Sequence, residues 1–122
     1  MGDIKTVDDL EVYQRSYRLA LEIYHETLKF PEFERYELGA QMRRCSKSIP
    51  TNIAEGFSSR SSSKQYMRYL NIAHESCDEM FVHLRFSRDL QYISKDKIKY
   101  FMDEYTIVAK QLTNLIKAWS KF

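Results

Sequence analysis

The fold is decided near the C-terminal end of the sequence, where residues 94–119 read SKDKIKYFMDEYTIVAKQLTNLIKAW. Apolar side chains recur there at steps of three and four residues, which is the spacing of one face of an α-helix. Ser94 is suited to cap the helix N-terminus, and Asp96 lies in the first turn, where a negative charge is favourable. The segment predicts an amphipathic helix over residues 95–120, with a buried face of Ile98, Phe101, Met102, Tyr105, Val108, Ala109, Leu112, Leu115, Ile116 and Trp119.

Three upstream segments repeat this spacing and predict helices over residues 7–29, 33–57 and 63–91. Phe30-Pro31 ends the first of them, and a serine-rich run over residues 58–62 separates the second from the third. Ser62 is suited to cap the third helix. The faces that we expect to be buried are Leu10, Tyr13, Tyr17, Leu21, Tyr24 and Leu28 on the first helix, Leu38, Met42, Cys45, Ile49, Ile53 and Phe57 on the second, and Tyr66, Leu70, Ala73, Cys77, Met80, Phe81 and Leu84 on the third.

Length and composition agree with an all-helical domain. The chain has 122 residues, of which 43% are apolar and 30% charged, with only 3 glycines and 2 prolines. Helices joined by short loops run antiparallel to their sequence neighbours, so we expect an all-α, up-down-up-down four-helix bundle that spans residues 1–122 as a single domain. No apolar run approaches the roughly 20 residues needed to cross a bilayer. With no visible leader peptide and too few cysteines for a disulfide framework, we expect a cytoplasmic protein without membrane contact.

Two helices carry apolar residues outside their expected core faces. On the first helix these residues lie roughly 130° from the centre of the core face, and on the third they lie nearly opposite it. Because charged residues normally occupy the outer face of a monomeric bundle, the pattern predicts a homo-oligomer interface. The alternative is that they are isolated surface apolar residues. The residues assigned to this interface are Val12, Leu19 and Ile23 on the first helix and Ile72, Phe86 and Leu90 on the third.

A row of polar side chains runs along the second helix beside its apolar face and consists of Gln41, Arg44, Ser48, Asn52 and Glu55. Pro50 lies in the same helix, where it cannot donate a backbone hydrogen bond and is expected to bend the helix. Such a row can form a half-buried, hydrogen-bonded seam with a neighbouring helix, or it can bind a ligand. In the first case the charged members need partners, such as Glu79 or His74 on the third helix, or a group on another subunit.

Positive charge is concentrated in the middle of the chain, although the net charge of the whole chain is only +2. Residues 35–70 contain 7 Lys and Arg against 2 Glu. Such a patch can attract the phosphates of RNA or DNA, and its candidate contact residues are Arg43, Lys47, Arg60, Lys64 and Arg68. A solvated helix face, or complementary charge between subunits, explains the same pattern.

The sequence shows no complete set of catalytic or metal-binding residues. A di-iron bundle needs a Glu-x-x-His motif on each of two helices, and only Glu22–His25 supplies one. His74 and His83 are nine residues apart and so lie on opposite faces of their helix. Both cysteines fall on apolar faces, where cysteine behaves as a small apolar residue. We therefore expect no enzymatic activity, no metal, no cofactor and no small-molecule substrate.

Residues 38–56 read LGAQMRRCSKSIPTNIAEG, and this stretch resembles the signature of the 23S rRNA intervening-sequence protein family, also called four helix bundle proteins. The segments 9–14, 30–36 and 72–93 extend the similarity over nearly the whole chain. The resemblance implies a small cytoplasmic bacterial protein that forms a four-helix bundle and assembles into ring-like pentamers, with no established enzymatic activity. A similar fold serves as an accessory protein in diversity-generating retroelements, where it binds reverse transcriptase and nucleic acid.

Two functional hypotheses follow from the residues and the resemblance together. The first is a non-catalytic oligomeric scaffold that contacts RNA or DNA through its basic face, with repeated weak contacts combined by avidity. The alternative is a protein-interaction module whose basic face binds an acidic protein partner without nucleic acid. Salt-sensitive retention of nucleic acid distinguishes the first hypothesis from the second.

Overall fold

The computed structural model describes residues 3–122. Its helices are a 3-10 turn at Val7–Asp9, followed by α1 (Glu11–Thr27), α2 (Glu32–Arg35), α3 (Leu38–Ser58), α4 (Ser63–Asp89) and α5 (Lys95–Trp119). The four long helices correspond to the four that the sequence predicts, and α2 is a single extra turn in the first connection. Within residues 3–122, no helix combines the length and the hydropathy needed to span a membrane.

The four long helices form a closed ring of neighbours, since α1 packs against α3 and α5, and α4 packs against the same two helices. Each helix runs antiparallel to both of its neighbours because short connections reverse the chain between them. The prediction of an all-α, up-down-up-down four-helix bundle is therefore confirmed. One end of the bundle carries the start of α1, the serine-rich loop and the end of α5; the opposite end carries α2 and the start of α5.

Helix boundaries follow local hydrogen bonds. The hydroxyls of Ser62 and Ser94 accept hydrogen bonds from backbone amides three residues later, at 3.2 and 3.3 Å, so both predicted caps are present. The first helix begins later than predicted because the Asp9 carboxylate closes a separate turn by accepting hydrogen bonds from the backbone amides of Lys5 and Thr6. The second predicted helix is divided because Glu37 departs from helical geometry, with φ −108° and ψ −98°.

The core is continuous through all four long helices. The predicted faces of α3, α4 and α5 point inward: Ile49, Leu84 and Tyr105 are completely buried. The α3–α4 contact is especially close at Gly56, where an added Cβ would come within 2.9 Å of the Tyr69 Cβ. A glycine at this position lets the two helix backbones approach.

The predicted orientation of α1 is wrong. Val12, Leu19 and Ile23, assigned from sequence to an oligomer interface, are buried in the core of the single chain, whereas Tyr17 and Leu21, assigned to the core, are each 51% exposed. Both faces of α1 are apolar, so periodicity does not determine which one turns inward. The buried face is composed of smaller side chains, with Ser16, Ala20 and Thr27 completing it.

The polar members of the buried α1 face satisfy their hydrogen bonds locally. The Ser16 hydroxyl donates to the Tyr13 carbonyl at 3.2 Å, and the Thr27 hydroxyl donates to the Tyr24 carbonyl at 3.0 Å. Because its side chains are smaller and its hydroxyls are hydrogen-bonded within the helix, this face has a lower free-energy cost of burial than one that carries several bulky tyrosines. The tyrosine face is consequently left on the surface.

Candidate functional site

The exposed face of α1 carries four large apolar or aromatic side chains, and we call Tyr17, Leu21, Tyr24 and Leu28 the α1 stripe. All four side chains are about half exposed. The Tyr13 and Tyr17 rings lie beside each other, with centroids 5.9 Å apart. This face replaces the one assigned from sequence as the candidate oligomer surface of α1.

A groove of about 430 Å³ runs between the α1 stripe and α3. Its α1 wall is made by tyrosines and leucine, and its α3 wall by the small residues Pro50, Thr51 and Ala54. Lys47 and Glu55 also line it and add one positive and one negative charge to a mainly apolar surface. We call this feature the tyrosine groove.

The predicted polar row divides between two sides of α3. Glu55 faces the tyrosine groove, whereas Ser48 joins α3 to α4 and Asn52 is hydrogen-bonded to Ser48 within α3. The Ser48 hydroxyl lies 3.0 Å from the Ser76 hydroxyl, and the Asn52 amide donates to the Ser48 hydroxyl and carbonyl at 3.0 and 2.8 Å. The hydrogen-bonded seam thus consists of three residues rather than the whole row.

The other two members of the row, Gln41 and Arg44, line a depression of about 290 Å³ between α3 and α4. Its remaining walls are Cys45, Ser48, Ser76 and Glu79. Within residues 3–122, neither Arg44 nor Glu55 has a carboxylate or cation within ion-pair distance, so the structure does not pair Arg44 with Glu79 or His74. We call this feature the α3–α4 depression.

The five basic residues proposed to contact nucleic acid do not form one patch. Arg43 is partly buried and donates to the Thr27 hydroxyl at 3.0 Å and to the Arg35 carbonyl at 2.7 Å, so its guanidinium is already hydrogen-bonded within the fold. Its guanidinium ties the end of α1 to the α2–α3 connection. Lys47 lies in the tyrosine groove, at a different place on the surface.

The remaining three basic residues gather at the serine-rich end of the bundle. The Arg60 guanidinium donates to the Phe57 carbonyl at 2.8 Å and lies 3.8 Å from the centre of the Phe57 ring, so it caps α3. Lys64 and Arg68 are exposed one turn apart on α4. The 17 residues from Arg43 to Arg60 correspond to about 25 Å of helix, which places these groups at opposite ends of the bundle.

The outer face of α4 carries a second apolar surface, as its sequence predicts. Phe86 is 56% exposed and Leu90 is 49% exposed, and Val82, which sequence analysis did not select, is exposed beside them. Ile72 is only half-buried. Phe86 and Leu90 form one rim of a depression whose other rim contains Glu34 and Glu37.

A further cluster was missed from sequence because its members come from two helices. The Cys45 thiol, the Glu79 carboxylate and a ring nitrogen of His83 all lie within 4.8 Å of one another. Glu79 Oε2 and His83 Nε2 are 2.9 Å apart, and the Cys45 thiol donates to the Ser76 carbonyl at 3.1 Å. The one-turn spacing of Glu79 and His83 on α4 was the signal available in the sequence. We call these three residues the Cys–Glu–His cluster.

Neither cysteine has the properties of an activated nucleophile. Burial, reinforced by the nearby Glu79 carboxylate, raises the pKa of the Cys45 thiol far above its ordinary value. Burial also raises the pKa of Cys77 to about 12, and its thiol donates to the Tyr105 carbonyl. Both thiols are therefore protonated at neutral pH, whereas nucleophilic catalysis requires the thiolate.

The fold and these surfaces define a small all-α four-helix-bundle protein with an exposed apolar face on α1. The family model for the 23S rRNA-intervening sequence protein matches residues 8–114, and the chain belongs to that family. This confirms the resemblance found in the sequence. No curated protein sequence matches the chain.

The bundle is similar to a crystal structure of a protein with unknown function from the S23 ribosomal protein family of Bacteroides thetaiotaomicron. The two chains superpose with a TM-score of 0.79 and are 24% identical, and the alignment covers 87% of this chain and 95% of the other. At that identity the likeness establishes the shared fold. The family and this structural relative are of unknown function, and neither is known as an enzyme.

Proposed function

We propose that this protein is a non-catalytic scaffold whose copies associate with one another through the α1 stripe and the tyrosine groove. The observation that carries the proposal is the inversion of α1: the smaller of its two apolar faces is in the core, and the larger one is exposed. Large apolar patches on soluble proteins are typical of interaction sites. Tyrosine is also enriched in protein interfaces because it combines a large apolar ring with a hydroxyl that can remain hydrated.

The size of this surface supports a contact that also uses a second region. Half-exposed, the four side chains of the α1 stripe present on the order of 400 Å². A stable interface buries about 800 Å² on each partner, so the groove walls must contribute as well. The α4 surface formed by Val82, Phe86 and Leu90 supplies a different apolar patch on the same chain.

Two different apolar surfaces suit a contact in which α1 of one copy meets α4 of the next. Such head-to-tail contacts close into rings when the rotation between copies permits. This arrangement agrees with the pentameric ring that the family resemblance implies. It also keeps Phe86 and Leu90 in the interface assigned to them from sequence and replaces Val12, Leu19 and Ile23 with the α1 stripe.

Leu21→Glu tests self-association, since it places a charge at the middle of the α1 stripe. Ile107→Glu is the matched control, because Ile107 is an exposed apolar residue on α5, a helix that contributes to neither proposed surface. The molar mass of each variant is measured by light scattering during size-exclusion chromatography, over a range of concentrations. We expect an oligomeric parent, an oligomeric Ile107→Glu variant and a monomeric Leu21→Glu variant. A parent that is monomeric at every concentration contradicts the proposal.

We propose nucleic-acid association as a second function, restricted to the serine-rich end of the bundle. Arg60, Lys64 and Arg68 support it because they bring three cations together there, and oligomerisation would repeat the group in every copy. Arg43 has no part in this version, since about 25 Å of helix separates it from the serine-rich end of the bundle. An acidic protein partner without nucleic acid is the competing function for the same cations.

Filter binding of RNA and DNA over a salt series distinguishes nucleic-acid association from binding of an acidic protein partner. Three phosphate contacts predict a fall in log K with log salt of slope about −2.7 on duplex DNA for each copy bound. The Lys64→Glu, Arg68→Glu double variant should lose retention, whereas Lys95→Glu, at the start of α5 and thus at the opposite end of the bundle, should keep it. Binding of polyglutamate with no retention of nucleic acid at low salt favours the acidic-partner function instead.

A further inference from the structure

The Cys–Glu–His cluster contains the ligand types that bind zinc in proteins. Zn²⁺ is bound by cysteine thiolate, histidine nitrogen and carboxylate oxygen. Here α3 supplies the thiol, and α4 supplies the carboxylate and the imidazole from adjacent turns, with all three donor atoms within 4.8 Å of one another. Two packed helices therefore hold three different ligands at one point, in the manner of metal sites built inside helical bundles.

The spacing is close to what a bound ion requires. Zinc–ligand bonds of about 2.0–2.3 Å in tetrahedral geometry separate the donor atoms by about 3.3–3.6 Å. The 2.9 Å between Glu79 Oε2 and His83 Nε2 must widen slightly, and since no two donor atoms are more than 4.8 Å apart, the most distant pair must close by at most about 1 Å. The Glu79 side chain is 59% exposed and can make this adjustment, whereas Cys45 and His83 are held in the packed interface.

We propose that Cys45, Glu79 and His83 form a binding site for a divalent late transition metal ion, with Zn²⁺ as the ion that best suits the mixed ligand set. The thiolate and the carboxylate together carry two negative charges, which balance the charge of the ion. A charge-balanced site is far easier to accommodate at a helix interface than an isolated ion. The ion displaces the proton that the Cys45 thiol now donates to the Ser76 carbonyl, and this proton is released to solvent. His83 binds as the neutral tautomer that carries its proton on Nδ1, so that Nε2 gives up its hydrogen bond to Glu79 and offers its lone pair to the ion.

Three protein ligands leave one coordination position of a tetrahedral ion for water or another small ligand. Cys45 and Glu79 also line the α3–α4 depression, so the fourth position adjoins a cavity of about 290 Å³. Gln41 and Arg44 lie in the wall of the same cavity. Gln41 and Arg44 take no part in the hydrogen-bonded seam. Their side-chain donors can instead contact a ligand bound to the ion.

The experiment uses the full-length protein without an affinity tag, treated with chelator and titrated with Co²⁺, a spectroscopic substitute for Zn²⁺. Cobalt bound to a thiolate gives a sulfur-to-metal charge-transfer band in the near ultraviolet and visible bands characteristic of four-coordination. We expect both signals to saturate at one ion per chain and to disappear when Zn²⁺ is added. Absence of the charge-transfer band in the folded parent protein overturns the proposal.

Matched variants identify the ligands. Cys45→Ala should abolish the charge-transfer band, while Cys77→Ala, which alters the other buried cysteine, should retain it. Glu79→Gln alters a side chain that is 59% exposed, and His83→Gln keeps a polar side chain of similar size, so both variants should fold even if Cys45→Ala does not. Each should weaken Zn²⁺ binding at least about tenfold. His74→Gln is the control for both, since His74 faces Asp78 one turn away without a thiol beside it. Equal Zn²⁺ affinity in His83→Gln, Glu79→Gln and His74→Gln overturns the assignment.

Discussion

The orientation of α1 makes a sharp prediction, because two leucines two residues apart on this helix have opposite environments. Leu19 is completely buried, whereas Leu21 is 51% exposed. Replacing each with alanine removes the same atoms from the same helix. Helix propensity and the unfolded state change almost identically in the two variants, so their difference in stability reports the environment of the native side chain.

The magnitudes follow from burial. Leu19→Ala loses the transfer free energy of its side chain and leaves a cavity between α1 and its neighbours, which together cost about 3 kcal/mol. Leu21→Ala loses only part of the transfer term and leaves no enclosed cavity, so it should cost about 1 kcal/mol. The difference of about 2 kcal/mol corresponds to roughly 30-fold in the unfolding equilibrium constant.

Urea denaturation followed by far-ultraviolet circular dichroism measures both values. The measurement is repeated over a hundredfold range of protein concentration, because association through the α1 stripe would stabilise the native state more at high concentration. At the lowest concentration, Leu19→Ala should unfold at clearly lower urea than Leu21→Ala. An equal or larger loss for Leu21→Ala under that condition would refute the orientation of α1 and, with it, the exposed stripe.

Three other predictions test particular contacts. Gly56→Ala should destabilise the fold by about 1–3 kcal/mol, seen as a lower Tm, because the new Cβ would collide with Tyr69 and push α3 away from α4. Arg43→Met should cost about 1.5–3 kcal/mol of unfolding free energy through lost hydrogen bonds to α1 and the α2–α3 connection, yet leave nucleic-acid retention unchanged. The hydrogen bond from His83 lowers the pKa of Glu79, so the stability that this carboxylate contributes is present above its unfolded pKa of 4.5 and is lost as pH falls through the lower folded value. Glu79→Gln should therefore have a flatter stability profile than the parent below about pH 4.5, as measured by urea denaturation at several pH values.

Sequence periodicity was sufficient for the bundle itself. On α3 and α5 one strongly apolar face lies opposite a polar one, so only one face can turn inward. On α4 the core face runs along most of the helix, whereas the exposed apolar residues Val82, Phe86 and Leu90 lie only near its end. Ser62 and Ser94 were recognisable as caps because capping depends on residues within one turn of each other. The signature of residues 38–56 likewise identified the family, which the family model then matched over most of the chain.

The candidate sites were predicted less well, because each depends on contacts between helices. Arg43 looks like a free surface cation in the sequence, and only the fold brings it to the Thr27 hydroxyl. Cys45 resembles an ordinary core residue until the register of α3 against α4 places Glu79 and His83 beside it.

The amino-acid sequence alone determined the number of helices, their approximate limits, their antiparallel order and three of their four buried faces. These properties depend on residues within a few turns of one another. Tertiary packing alone decided which apolar face of α1 is buried, because both faces satisfy helical periodicity and only packing against α3 and α5 selects the face with the smaller side chains. It also decided which polar groups meet across α3 and α4, because the register between two helices is set by how their side chains interlock.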